Sequence, residues 1–197
     1  MEQPKHLTIN VWFAKETHKA LIITKYPKGT YQMTMWNLET DQFTRGQWVR
    51  NKKIKMDRCG LSPDGNYFAY FMFDIKNSMA TFTVISKTPY FTGLYCQEEE
   101  GTWTGGAYFH DNNTIVMKPY IVILNRMPGN FSVYDPSPPG SNSGGGRRDE
   151  RSLSFHKTSC TDPLGRTITI HDNTLFIDGV EGINFEEDIF THVKAPY

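Results

Sequence analysis

The chain has 197 residues, and its 21 Lys plus Arg balance 21 Asp plus Glu, so no net field draws it to nucleic acid or to an anionic membrane. Its mean hydropathy is -0.51 and its longest uninterrupted apolar run is the seven residues from Tyr67 to Phe73. A membrane helix needs about 20, so none is expected. Three separated cysteines, Cys59, Cys96 and Cys160, form no C-x-x-C, which excludes a zinc or redox site of that spacing.

In chain order, short strand patterns alternate with turn residues, and no window carries the spacing of an amphipathic helix. Residues 1–19 contain no long apolar stretch, so no secretory signal is expected and the sequons at Asn112 and Asn130 read as chance matches. The thiols then read as reduced and the protein as cytoplasmic. Residues 7–13 (LTINVWF) form the first expected strand, and the polar loop 14–19 leads to 20–26 (ALIITKY). Pro27-Lys28-Gly29 turns the chain into the alternating run 30–38, and Glu39-Thr40-Asp41 turns it into 42–49.

A second unit starts with 56–61, turns at Ser62-Pro63-Asp64-Gly65 and continues as 66–73, 79–85 and 91–97. The third reads as 102–109, 114–118, 120–125 and 131–134, with a first turn at His110 to Asn113. The fourth reads as 166–170, 174–178, 180–185 and 189–193, with a first turn at His171-Asp172-Asn173. The first turns centre on Glu16, Asp64, Asp111 and Asp172, at spacings of 48, 47 and 61. The long spacing holds the Pro/Gly/Ser-rich tract 136–150, which reads as a flexible insertion.

Four copies of a four-strand unit at a period in the forties are the mark of propeller blades, which bury their apolar faces by stacking. The stretch Leu61-Ser62-Pro63-Asp64-Gly65-Asn66-Tyr67, with Ala69, resembles the first turn of blades in WD-repeat-like and Tol-type propeller proteins. No Gly-His opens a unit and no Trp-Asp closes one, so the best-known repeat signature is missing. The resemblance implies a small β-propeller or a propeller segment. The expected fold is therefore one all-β repeat domain over residues 1–197, with antiparallel units at about 7–50, 56–98, 102–135 and 151–194. A β-sandwich, which also turns every 8 to 12 residues, is the alternative.

Residues that could carry chemistry are few. No G-x-S-x-G, S-x-x-K or H-E-x-x-H occurs. His110-Asp111 and His171-Asp172 are expected in equivalent turns on one face, but too far apart to act together. Gly144-Gly145-Gly146-Arg147-Arg148 lacks the strand before it and the helix after it that a phosphate loop needs. No catalytic residue, metal or cofactor is expected.

Charge is more informative. Residues 50–58 (RNKKIKMDR) carry Lys52, Lys53, Lys55 and Arg58, and residues 96–101 (CQEEEG) carry Glu98, Glu99 and Glu100. Both segments read as loops between units, emerging on one face that is basic on one side and acidic on the other. Such a face orients a charged partner. Trp12, Trp36 and Trp48 read as packing, whereas Trp103 beside the acidic segment reads as an exposed anchor.

The expected function is a non-catalytic protein- or peptide-binding scaffold using one loop face, with no nucleic-acid or membrane partner. A homodimer of two segments completing one ring is a further expectation. The alternative is an enzyme or small-ligand or carbohydrate binder using the central channel. The expected inner strands offer Thr, Asn and Gly but no carboxylate pair for it. A third reading is a sandwich acting as an immune or structural subunit.

Overall fold

A computed structural model describes residues 7–77, 79–102, 105–117, 120–124, 131–134, 159–186 and 188–197. The protein is all-β, in four antiparallel four-stranded sheets, each built from consecutive strands in simple order. The first holds β1 (Thr8–Phe13), β2 (Lys19–Tyr26), β3 (Thr30–Asn37) and β4 (Gln42–Val49). The second holds β5 (Lys52–Leu61), β6 (Tyr67–Asp74), β7 (Ala80–Lys87) and β8 (Gly93–Glu99). The third holds β9 (Tyr108–Phe109), β10 (Thr114–Met117), β11 (Tyr120–Leu124) and β12 (Phe131–Tyr134). The fourth holds β13 (Ser159–Thr161), β14 (Thr167–His171), β15 (Thr174–Ile177) and β16 (Val180–Asn184). Four separate sheets stand where a sandwich would have two. No helix of the described residues is long and apolar enough to cross a membrane.

Period-two alternation explains how the sheets stack. Strand residues point alternately to opposite faces, and the first sheet is apolar on both. Trp12, Leu21, Ile23, Tyr31 and Met33 pack against Ile54, Met56, Cys59, Phe68 and Tyr70 of the second sheet. On the opposite face Val11, Ala20, Ile22, Trp36 and Leu38 meet Ile168, Leu175, Ile177 and Phe185. The second sheet turns Ala69 and Ile85 to Ala107, Ile115 and Met117. The packing order is thus fourth, first, second, third sheet. The strands β1, β5 and β9, which open the first three sheets, neighbour one another along this stack.

Several strands lie elsewhere than the sequence pattern suggests. The basic segment is no loop: β5 begins at Lys52, because Ile54 and Met56 are buried between Lys53, Lys55 and Asp57. The lysine run hides a half-buried strand whose apolar side chains alternate with charged ones. Likewise Glu98 and Glu99 belong to β8 and not to a linking loop. The first strand of the third sheet shrinks to two residues, because Gly105 and Gly106 before it sit at φ +89° and +100°, outside strand geometry.

In the fourth sheet the frame moves by one strand. The first strand is Ser159–Thr161 and its turn is Asp162-Pro163-Leu164-Gly165. His171-Asp172-Asn173 instead joins the second strand to the third, with Asp172 and Asn173 both at positive φ, as a tight hairpin requires. His110 and His171 therefore occupy opposite ends of their sheets, not one face. Residues 189–193 form no strand. They belong to a tail that crosses the first sheet, where Phe190 packs on Trp48 and Asp188 binds Arg45 at 2.7 Å. Trp103, Asn130 and the tract 136–150 lie outside the described residues.

Candidate functional site

The Ser62-Pro63-Asp64-Gly65 turn proves to be structural. Ser62 and Asp162 play the same part: each accepts, through its carbonyl, the N–H of the turn glycine, Gly65 or Gly165, at 2.9 and 3.0 Å. Both are buried. The first turns of three sheets also hold each other. Glu16 N–H donates to the Pro63 carbonyl, Asp64 N–H to Asn112 Oδ1, and Asn112 Nδ2 to Glu16 Oε2, at 2.9, 2.8 and 2.7 Å. These three bonds use donors and acceptors of the turns within the fold, so the turns form a clasp between sheets.

The opposite end of the second sheet carries Lys52, Lys53, Glu98 and Glu99. Strand pairing puts Lys52 opposite Asp74, Asp74 opposite Ala80 and Glu99 opposite Thr81. The start of β5 and the end of β8 therefore share one end of the second sheet, on its two edge strands. Three strand spacings separate those edges by about 14 Å.

The residues at this end behave differently from one another. Lys52 is tied to Asp74 at 2.6 Å, and that bond holds the Asp74 carboxyl below the usual aspartate range. Lys53 is exposed, its ammonium 5.8 Å from the Phe73 ring centre, and Lys55 is half-buried. Glu98 and Glu100 are exposed. The turn between β2 and β3 joins this end as well: a side chain at Gly29 would stand 2.6 Å from the Lys52 carbonyl oxygen and 3.2 Å from Ile75 Cδ1.

Arg58 and Glu99 are brought together, although the charge pattern set them on opposite sides of the face. The Arg58 guanidinium lies 5.2 Å over Phe71 and donates to the Thr102 carbonyl at 3.0 Å. Glu99 accepts the Thr83 hydroxyl proton at 2.5 Å, and Thr83 Oγ1 accepts the Gly106 N–H at 2.9 Å. Burial pushes the Glu99 carboxyl above the usual glutamate range, the Thr83 bond and the Arg58 charge opposing it. Glu99 holds Thr83, Thr83 holds the Gly106 N–H, and Arg58 holds Thr102, so together they anchor the chain on either side of residues 103–104.

Ionising Glu99 thus works against the fold. A raised folded pKa makes native stability fall as pH rises through the carboxylate range. Glu99→Gln keeps an acceptor for Thr83 and removes the charge. We expect a melting temperature about 2 °C higher at neutral pH, scaled down for partial exposure, and a flatter dependence on pH from the acid side. Parallel melts of both proteins across pH 4 to 8 check this, and a lower melt for the glutamine protein at neutral pH would refute it.

Among the described residues, no three His, Cys, Asp or Glu side chains gather as a metal site needs. Sequence reasoning missed Lys28, Ile75, Lys76 and Met79 at the charged end. Their only sequence signal is two exposed apolar residues, Ile75 and Met79, in a polar connection. The sequence matches no protein-family model and no curated protein.

Proposed function

We propose that the chain is a non-catalytic protein- or peptide-binding scaffold acting in the cytoplasm, with its four sheets as the blades of a small β-propeller. The stacking order and the neighbouring first strands support the blade reading. The three free cysteines, Cys59 buried, Cys160 half-buried and Cys96 exposed, suit a reducing compartment. The binding reading rests above all on one observation. The register holds exposed Lys53 and exposed Glu98 at the same end of the second sheet, on opposite edge strands. Lys53 points to the sheet face of Phe73 and Thr81, and Glu98 to the opposite face of Met72 and Phe82, so this end shows a partner opposite signs on its two sides. Charges fixed on strands lose little freedom on binding, and such a separation sets the orientation of a partner.

Lys53 and Glu98 are the residues to reverse, because Lys52 serves Asp74 and Lys55 is half-buried. Lys53→Glu with Glu98→Lys is expected to leave the melt unchanged. Cross-linking of a partner in cells is expected to fall at least about fivefold, since rim charges act mainly on association. Equal recovery from both proteins would sink the reading.

A further inference from the structure

The connection between β6 and β7 is built to present Ile75. Asp74 takes the Lys76 N–H on Oδ1 at 3.1 Å and the Lys52 ammonium on Oδ2 at 2.6 Å, so the local negative charge is engaged. Ile75 N–H donates to the Asn51 carbonyl at 3.1 Å, which ties the connection to the start of β5. Ile75 nevertheless stays 48% exposed and Met79 53% exposed. Exposed lysines accompany them: Lys76 beside Ile75 and Lys28 in the turn whose Gly29 abuts Ile75, whereas Lys53 points to the other face of the sheet, over Phe73.

Resting on the binding reading above, we propose that this patch docks a short acidic segment of a partner protein. An aliphatic side chain of the segment would sit on Ile75 and Met79, and its carboxylates would face Lys28 and Lys76. Two apolar side chains are too little for a broad interface, which buries about 800 Å² per partner, but suffice to anchor a segment. The same geometry disfavours an anionic bilayer. A flat surface must also approach exposed Glu98 at this end and be repelled, whereas a narrow segment crosses the lysines alone.

The test is selection of random phage-displayed peptides on the immobilised full chain. Fluorescence anisotropy follows, with a labelled probe of acidic residues around paired leucines. Acidic-aliphatic peptides are expected to be enriched. Lys28→Glu and Lys76→Glu together should weaken the probe about tenfold, and Ile75→Ser alone about threefold, with melts unchanged. Replacing the leucines of the probe by alanine should weaken it similarly. Enrichment of basic or neutral peptides indifferent to the lysine reversal would overturn this inference while leaving the binding reading in place. If no peptide is enriched and phosphatidylserine vesicles bind through the same lysines, a membrane replaces the peptide and the inference fails. If neither peptide nor vesicle binds, both the inference and the binding reading fail.

Discussion

Replacing Asp162 by alanine is expected to cost about 3 kcal/mol of folding stability, a melt lowered by about 9 °C at this chain length. The carboxylate is buried and fully engaged: Oδ1 accepts the N–H groups of Leu164 and Arg166 at 2.9 Å, and Oδ2 accepts Arg166 Nε at 2.8 Å. Arg166 in turn reaches the first sheet. Its Nη1 donates to both oxygens of Asp41 at 2.9 and 2.8 Å, and its guanidinium lies 5.6 Å over Trp36. Asp41 also accepts the Trp36 indole N–H at 3.1 Å. Removing Asp162 thus strips a turn of its acceptor and leaves a mostly buried cation half-served. Asp41→Ala should cost only about 1 kcal/mol, because that carboxylate faces water. Urea unfolding of both variants and of Asp162→Asn checks the order. Equal losses for Asp41→Ala and Asp162→Ala would show that the bond across the sheets, not the turn, carries the energy.

That residue also shows what the sequence could and could not reveal. The all-β class, the strand rhythm and the turn at Ser62-Pro63-Asp64-Gly65 are local properties, set by alternation and by residues that favour turns. The equivalent turn at Asp162-Pro163-Leu164-Gly165 escaped, because it lacks the Asp-Gly pair and, among the described residues, its first strand has only three. The neighbouring Asp172-Asn173 hairpin gave a stronger local signal and drew the frame to itself. The error at Lys52 has another cause. Its strand is coded by Ile54 and Met56 alone, and the flanking lysines mimic a solvated loop.

The candidate site was legible in its charges and not in its geometry. Nothing local distinguishes Lys53, which is exposed, from Lys52, which is held by Asp74. The Arg58 charge acts on Glu99 only because four strands fold back in register. Ile75 belongs to the face only because Gly29 of another sheet touches it. Pairings of this kind depend on the fold, so a pattern read along the chain names the charges but not their partners.

Gly105 tests that dependence directly, and Gly105→Ala is expected to cost about 3 kcal/mol. The residue sits at φ +89°, and an added Cβ would stand 2.3 Å from Phe71 Cε2 and 3.1 Å from Glu99 Cγ. Two costs therefore add: a backbone conformation unfavourable to alanine, about 1 kcal/mol, and overpacking of a buried ring, about 2 kcal/mol. Reduced freedom of the unfolded chain returns less than about 1 kcal/mol. Gly165→Ala separates the two, since Gly165 has φ +83° but nothing within 4 Å of its Cβ position. It should lose only about 1 kcal/mol. Phe71→Leu, which opens room at the ring, should make the double variant with Gly105→Ala more stable than the sum of the singles by at least about 1 kcal/mol. Equal losses at Gly105 and Gly165, or additive behaviour with Phe71, would mean that the chain at 105–106 does not lie against the ring. The Arg58–Glu99 anchor would then have no strand-level support.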